Sequence, residues 1–284
     1  MEDKEKWDVY IEPNAKWLDL NFSEVWKYRD LIGMFVKRDF IAQYKQTILG
    51  PLWFLIQPII TTLTYIVVFA GIADLSTAGQ PASLFYLSGI LFWNYFSSTF
   101  LKISETFLSN TNIFGKIYFP RLVVPISVVI SSMISFMIQL MLFIGVFLFQ
   151  LFVNDYESNI QPALFLFPFL VILMAILSVG IGIIISSLTI KYRDLRYLVT
   201  FGVPLLMYTT PVVYPLSSVK NDVLATLLKL NPMTGIIETF RYSVLGTGVF
   251  SWEMLLYTFT VTVVLFFIGI ILFNKVEKNF MDSI

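Results

Sequence analysis

The sequence predicts an all-α polytopic membrane protein with six transmembrane helices. Of the 284 residues 57% are hydrophobic and only 13% are charged, whereas soluble domains carry about 25% charged residues. Six apolar stretches approach or exceed the length of about 20 residues that a helix needs to cross a bilayer. None of the six contains Asp, Glu, Lys or Arg. Composition, stretch length and charge placement therefore all indicate membrane-spanning helices.

A cytosolic N-terminal segment is predicted at 1–49. Its first 30 residues are charged throughout and lack the continuous apolar run of a cleaved signal peptide. The apolar residues Tyr28, Leu31, Ile32 and Phe35 then follow helical spacing. This spacing predicts an amphipathic helix that lies at the membrane interface. A helix packed on another protein surface is the alternative interpretation.

The stretch "RDFIAQYKQTILGPLW" joins this helix to the first span. It is too polar for a simple flank of a span, and it ends at Leu49, Gly50 and Pro51. We interpret these three residues as a structural hinge that turns the chain from the interface into the membrane.

The transmembrane domain is predicted at 50–284. Its fifth span is interrupted by prolines, which membrane helices tolerate where neighbouring groups satisfy the freed carbonyls. The predicted spans are about 51–73, 83–101, 122–153, 162–190, 198–216 and 254–274.

The placement of Lys and Arg predicts the orientation. Basic residues are concentrated before the first span, at 102–121, at 191–197 and in the tail, whereas the loops at 74–82 and 154–161 have none. Since basic loops stay in the cytosol, both termini are expected there. The connection at 217–253 is then external. It is predicted to form two short helices broken at Asn231–Pro232, re-entrant in the membrane or, alternatively, a plain surface loop.

Several classes of function are disfavoured by what the sequence lacks. The net charge is zero, and there is no Cys and no His, which argues against nucleic-acid binding, a metal centre and thiol or histidine catalysis. No phosphate-binding loop of the G-x-x-x-x-G-K-[ST] type occurs. Spans without ionisable residues also disfavour an ion-coupled carrier. These absences favour a transporter whose energy enters from outside the bilayer, with a membrane anchor or scaffold as the alternative interpretation.

Five segments carry a resemblance to a known family: "RDFIAQYKQTILGPLWFLIQP", "NIFGKIYFPRLVVPIS", "KYRDLRYLVTFGVPLLMYTTPVVYP", "NPMTGIIETFRYSVLG" and "LFNKVEKNFMDSI". In this order and spacing they resemble the permease subunit of polysaccharide ATP-binding-cassette exporters, the type-2 proteins that export lipid-linked O-antigen or teichoic acid. The resemblance implies a homodimer in the bacterial inner membrane. It also implies a transport subunit that is not an enzyme and needs no cofactor of its own. Two copies of a separate cytosolic ATPase would hold the ATP and Mg²⁺.

The resemblance further implies that about 103–119 is the element that docks on the ATPase. Its expected coupling residues are Phe107, Ile113, Phe114 and Lys116. A few aromatic or aliphatic anchors usually dominate such an interface.

The implied substrate is a polysaccharide linked to a polyprenyl diphosphate. Cations at the cytosolic face are expected to bind the diphosphate, and the candidates are Arg38, Lys45, Arg121, Arg193 and Arg196. Aromatic rings suit the wall of a sugar conduit, and the candidates are Trp93, Tyr95, Tyr208 and Tyr214. The alternatives are a type-2 exporter of a lipid or drug and a membrane glycosyl- or acyltransferase that acts on polyprenyl lipids.

Overall fold

The computed structural model describes residues 22–117 and 119–280, and every regular element within these ranges is a helix. The predictions made for residues 1–21 concern a part of the chain that the structure does not describe. The α-helices are α1 (Phe22–Lys27), α2 (Arg29–Tyr44), α3 (Trp53–Tyr65), α4 (Ala82–Ser104), α5 (Thr106–Ser109), α6 (Thr111–Phe114), α7 (Val123–Val153), α8 (Phe167–Thr189), α9 (Leu195–Tyr208), α10 (Asp222–Lys229), α11 (Pro232–Leu245) and α12 (Trp252–Phe280).

Within the described ranges four helical stretches are long and apolar enough to cross a membrane, which confirms the all-helical membrane class. They correspond to the first, third, fourth and sixth predicted spans, and they are Gly50–Ile72, Val123–Val153, Pro162–Thr189 and Trp252–Val276. Helix α4, in the second predicted span, has 23 residues but a more polar sequence, and α9, in the fifth, has 14 residues. The count of six spans therefore stays a prediction.

The first span changes its helical type along its length. It begins with the 3₁₀ turn Gly50–Leu52, continues as α3, and ends as a π-helix at Ile66–Ile72. Pro51 lies in the first turn, where its missing N–H has no cost. Pro58 lies inside α3 and removes one helical hydrogen bond there.

Helix α4 lies in the middle of the bundle. The ring of Phe92 packs 4.7 Å from that of Phe240 in α11 and 5.7 Å from that of Phe136 in α7. On the α8 side, a Cβ at Gly182 would lie 2.7 Å from the side chain of Ile103. Because α4 contacts helices on several sides, its own side chains fill the interior of the subunit.

Small residues let α8 and α12 approach closely. A Cβ at Gly180 would lie 2.9 Å from the backbone nitrogen of Phe266, and one at Gly269 would lie 2.7 Å from the carbonyl oxygen of Gly180. Such contacts between backbones are how membrane helices commonly pack.

A second apolar cluster forms where α2 meets the bundle. Ile32 and Phe35 are buried in it, and the ring of Phe35 lies 5.9 Å from that of Phe119. The predicted apolar stripe of α2 thus packs against the bundle itself. We call this the basic end, because the chain there carries Lys102, Lys116, Arg121, Lys191, Arg193 and Arg196. The opposite end, with α10 and α11, is called the far end.

Candidate functional site

The predicted hinge is an exposed corner at the basic end. Helix α2 ends at Tyr44, and Lys45 donates its backbone N–H to the carbonyl of Ile41. Gln46 and Gly50 then have φ angles of 67° and 52°, in the left-handed region that glycine adopts at the least cost. The two left-handed residues turn the chain from α2 into the first span. Leu49 and Pro51, which flank Gly50, are exposed.

The two predicted cations beside the hinge differ in their surroundings. Arg38 is half-exposed and forms an ion pair with Asp39, with Nη2 and Oδ1 2.8 Å apart. Its guanidinium also lies 4.6 Å from the ring centre of Phe35. Lys45 is exposed on the corner itself. Lys45 therefore has the more accessible charge of the two.

Arg121 is not at the surface. Its side chain is 6% exposed, and its guanidinium lies 5.6 Å and 5.9 Å from the ring centres of Phe114 and Phe107. This arrangement is a cation–π contact that holds the segment before α7. The structure thus separates Arg121 from the exposed cations with which the sequence grouped it.

Arg193 and Arg196 lie in the turn before α9 and in its first turn. Arg193 is exposed. Arg196 pairs with Glu105, and its Nε lies 2.7 Å from Oε1 of that residue. One of these two cations is therefore already bound to a carboxylate of the same chain.

Two of the four predicted coupling residues are buried and the other two are more accessible. Phe107 and Phe114 are buried, and the ring of Phe107 lies 4.8 Å from that of Phe273 in α12. Ile113 is half-buried and Lys116 is exposed. The sequence analysis did not single out Ile117, which is 62% exposed. Nothing in the sequence distinguishes Ile117 from the other apolar residues of the segment, because its exposure depends on how the helices pack.

The four predicted aromatic residues fall into two separate places. Trp93 and Tyr95 are buried in α4, and the ring of Tyr95 lies 5.5 Å from that of Phe136. At the end of α9, Tyr208 is exposed, and the hydroxyl of Tyr214 donates a 2.9 Å hydrogen bond to its carbonyl. The exposed Tyr208 and the half-buried Tyr214 are therefore close together, whereas Trp93 and Tyr95 belong to the core.

Helix α3 carries a polar strip that the sequence analysis missed. Gln57 and Thr64 are exposed and Thr61 is half-buried, at helical spacing along one side. Both threonine hydroxyls donate hydrogen bonds to the carbonyls four residues earlier in the helix. These bonds reduce the free-energy cost of placing a hydroxyl in an apolar span. Their spacing within an otherwise apolar stretch could have revealed the strip.

An exposed apolar face occurs on α9. Its large exposed side chains include those of Leu198, Phe201 and Leu205, whereas Val199 and Val203 are buried against the bundle. In isolation the subunit thus leaves much of α9 uncovered by protein.

A buried ion pair at the far end was also missed. Arg241 of α11 is 1% exposed and lies 3.5 Å from the carboxylate of Glu238. It donates to the carbonyls of Val212 and Phe85 at 2.7 Å and 3.2 Å, to the carbonyl of Pro211, and to the hydroxyl of Ser88 at 3.1 Å. Opposite charges three residues apart in a mainly apolar helix indicate an ion pair between Glu238 and Arg241. The sequence does not indicate that this ion pair is buried.

The chain is similar to known transport proteins over most of its length. The family model described as ABC-2 type transporter matches residues 30–245. An O-antigen export system permease protein RfbA of Klebsiella pneumoniae is 26% identical over 253 residues, which cover 89% of this chain and 94% of that protein. The protein of the same name in Myxococcus xanthus is 27% identical over 262 residues, or 92% and 98% of the two chains.

Proposed function

This chain belongs to the ABC-2 type transporter family, and on that premise we propose that it is the permease subunit of an ATP-driven O-antigen exporter. The observation that carries the proposal is the similarity to O-antigen export permeases along nearly the whole chain. In this proposal the chain supplies the membrane pathway, and a separate ATPase subunit binds and hydrolyses ATP.

We assign the basic end to the cytosol of a bacterial inner-membrane protein. The lysines and arginines at this end support the orientation, since positive loops are retained inside. Six crossings, by α3, α4, α7, α8, α9 and α12, then bring both termini to the cytosol. Helices α10 and α11 lie on the external side.

The surface that docks on the ATPase consists of Ile113, Lys116 and Ile117. Ile117 is its main apolar anchor because it is the most exposed apolar residue among those of 103–119 that the structure describes. Phe107 and Phe114 support the surface from inside, since they pack against each other with ring centres 6.0 Å apart. Exposed anchors over a rigid apolar base are a common form of protein interface.

The polysaccharide passes between two copies of the chain. The interior of one subunit is filled by α4, so a wide conduit has to lie outside that core. The polar strip of Gln57, Thr61 and Thr64 supplies hydrogen-bonding groups for sugars. The exposed ring of Tyr208 and the half-buried ring of Tyr214 supply flat apolar faces. The uncovered face of α9 provides the contact surface for the second copy.

The lipid diphosphate enters at the hinge. Lys45 is exposed at the corner, and Arg38 keeps part of its guanidinium accessible beside it. Charged hydrogen bonds from such cations are strong and favour a diphosphate. We add Arg193 as an exposed cation at the same end. Arg121, which is buried, is assigned to structure instead.

Deletion of the gene in its host tests the proposal. The expected result is loss of the surface polysaccharide, accumulation of the lipid-linked polymer inside the cell, and recovery of both on expression of the chain. An unchanged surface polysaccharide would contradict the proposal. A transferase is indicated instead if the deletion prevents synthesis of the polymer.

A further inference from the structure

The ion pair between Glu105 and Arg196 joins two elements that have different tasks in the proposed exporter. We infer that this pair transmits movement of the ATPase-docking segment to α9. The inference rests on the proposed function, because it needs a partner that moves the docking segment and a conduit beside α9.

The geometry of the pair places it between these elements. Glu105 is the residue between α4 and α5, so its carboxylate moves with the start of the docking segment. Arg196 is in the first turn of α9, and the two charged groups approach to 2.7 Å. A displacement of one element therefore acts directly on the other.

Few other contacts hold this end of α9. Along the helix Val199 and Val203 are buried, whereas Leu198 and Phe201 are exposed. Thr200 directs its hydroxyl back to the carbonyl of Arg196, within the same helix. Near its first turn α9 is thus attached to the bundle by a narrow apolar edge and by the ion pair.

The far end of α9 is attached much more firmly. Asn231 donates to the carbonyl of Thr209 at 3.2 Å and to the hydroxyl of Thr210 at 2.8 Å. The buried Arg241 donates to the carbonyl of Val212 at 2.7 Å. The first Asn231 bond is exposed and the second is partly buried, but the Arg241 bond is buried, and a buried hydrogen bond is costly to break. The far end of α9 therefore acts as the fixed point about which the basic end moves.

Because the Glu105–Arg196 ion pair is partly exposed, it can form and break during the transport cycle. The side chain of Arg196 is 55% exposed and that of Glu105 is 33% exposed. Water competes for exposed ion pairs, so they contribute little to stability and exchange easily. The pair can transmit a push or a pull without fixing α9 in one position.

Exchange of the two charges tests the inference against the hypothesis that Arg196 binds substrate. The measurement is the polysaccharide exported per ATP hydrolysed by the complete transporter in proteoliposomes. Glu105→Arg and Arg196→Glu should each lower this ratio about three- to fivefold, the size of effect that an exposed ion pair permits. The double exchange should restore the ratio to within about twofold, because the pair is rebuilt in reverse.

Two variants serve as controls for the change in charge. Lys191→Glu and Asp194→Arg make the same changes within one or two turns of Arg196, at exposed residues that have no ion pair among the described residues. Each of these two variants should export as much polysaccharide per ATP hydrolysed as the unmodified chain does. The amount of each variant in the membrane is measured in parallel, so that poor insertion is not mistaken for lost coupling.

Two outcomes overturn the inference. If the double exchange is as defective as Arg196→Glu alone, Arg196 acts through its own charge, as a substrate-binding cation does. If the single variants keep a normal ratio, the pair transmits nothing. Failure of the proposed function differs from both, since the unmodified transporter itself then exports no polysaccharide.

Discussion

Nη2 of Arg241 lies 2.7 Å from the carbonyl oxygen of Val212, in a site where Arg241 is 1% exposed. This bond joins α11 to the segment that follows α9. The same guanidinium also bonds to Phe85 and Ser88 in α4. One buried cation therefore connects three parts of the far end.

Arg241→Met should destabilise the protein strongly. It leaves the carboxylate of Glu238 buried without its cation, and loss of one partner of a buried pair costs about 3–5 kcal/mol. The double variant Arg241→Met/Glu238→Gln should be more stable than the single one, because the uncompensated charge is gone. Thermal unfolding in detergent measures both, with Lys229→Met at the exposed end of α10 as the control. Equal stability of Arg241→Met and the unmodified chain would contradict the account of this site.

Ile117→Asp should uncouple the ATPase while the permease still folds. The carboxylate removes the exposed apolar anchor, and loss of a central anchor costs an interface about 2 kcal/mol or more. Co-purification of the ATPase and export should both fall, with a normal amount of chain in the membrane. Phe114→Ala should instead lower the amount of folded chain, because that ring is buried. If Ile117→Asp leaves co-purification unchanged, the docking surface has been placed wrongly.

Gly50→Ala should impair export through the hinge. The φ of 52° at this residue costs a residue with a Cβ about 1–2 kcal/mol, although the surrounding space is open. Gly79→Ala is the matched control, since Gly79 has a φ of 78° and open space in a loop at the far end. Both variants should lose similar stability, but only Gly50→Ala should reduce the rate of export. Equal export by the two would exclude a special role for the hinge.

Lys45→Gln should weaken binding of the lipid-linked substrate. Loss of one charge-assisted hydrogen bond costs about 1.5–3 kcal/mol, so at least about tenfold more substrate should be needed to stimulate the ATPase to half its maximum. Lys37→Gln, at an exposed lysine of α2, is the control and should change little. Similar curves for the two variants would place the diphosphate away from the hinge.

Features that depend on local composition could be predicted from the sequence. The third span was predicted at about 122–153 and the helix is Val123–Val153; the fourth was predicted at about 162–190 and the helical stretch is Pro162–Thr189. Continuous apolar runs determine such bounds because each backbone group in lipid must be satisfied within its own helix. The membrane-helical class follows from the same property.

Burial could not be predicted in the same way. Phe107 and Ile117 are both apolar residues of one short segment at the basic end, yet the first is buried against Phe273 and the second is exposed. Arg121 and Lys45 likewise have the same charge but opposite exposure. These differences depend on which helices pack together. Composition and spacing along the chain do not contain that information.

Transport into inverted membrane vesicles shows whether this chain carries lipid-linked polysaccharide across a membrane. The vesicles contain the chain and its ATPase, and the measured quantity is lipid-linked polysaccharide that becomes protected inside them. Accumulation is expected to require ATP, the chain and an active ATPase together. Equal accumulation in vesicles that lack the chain, or accumulation without ATP, would contradict this expectation.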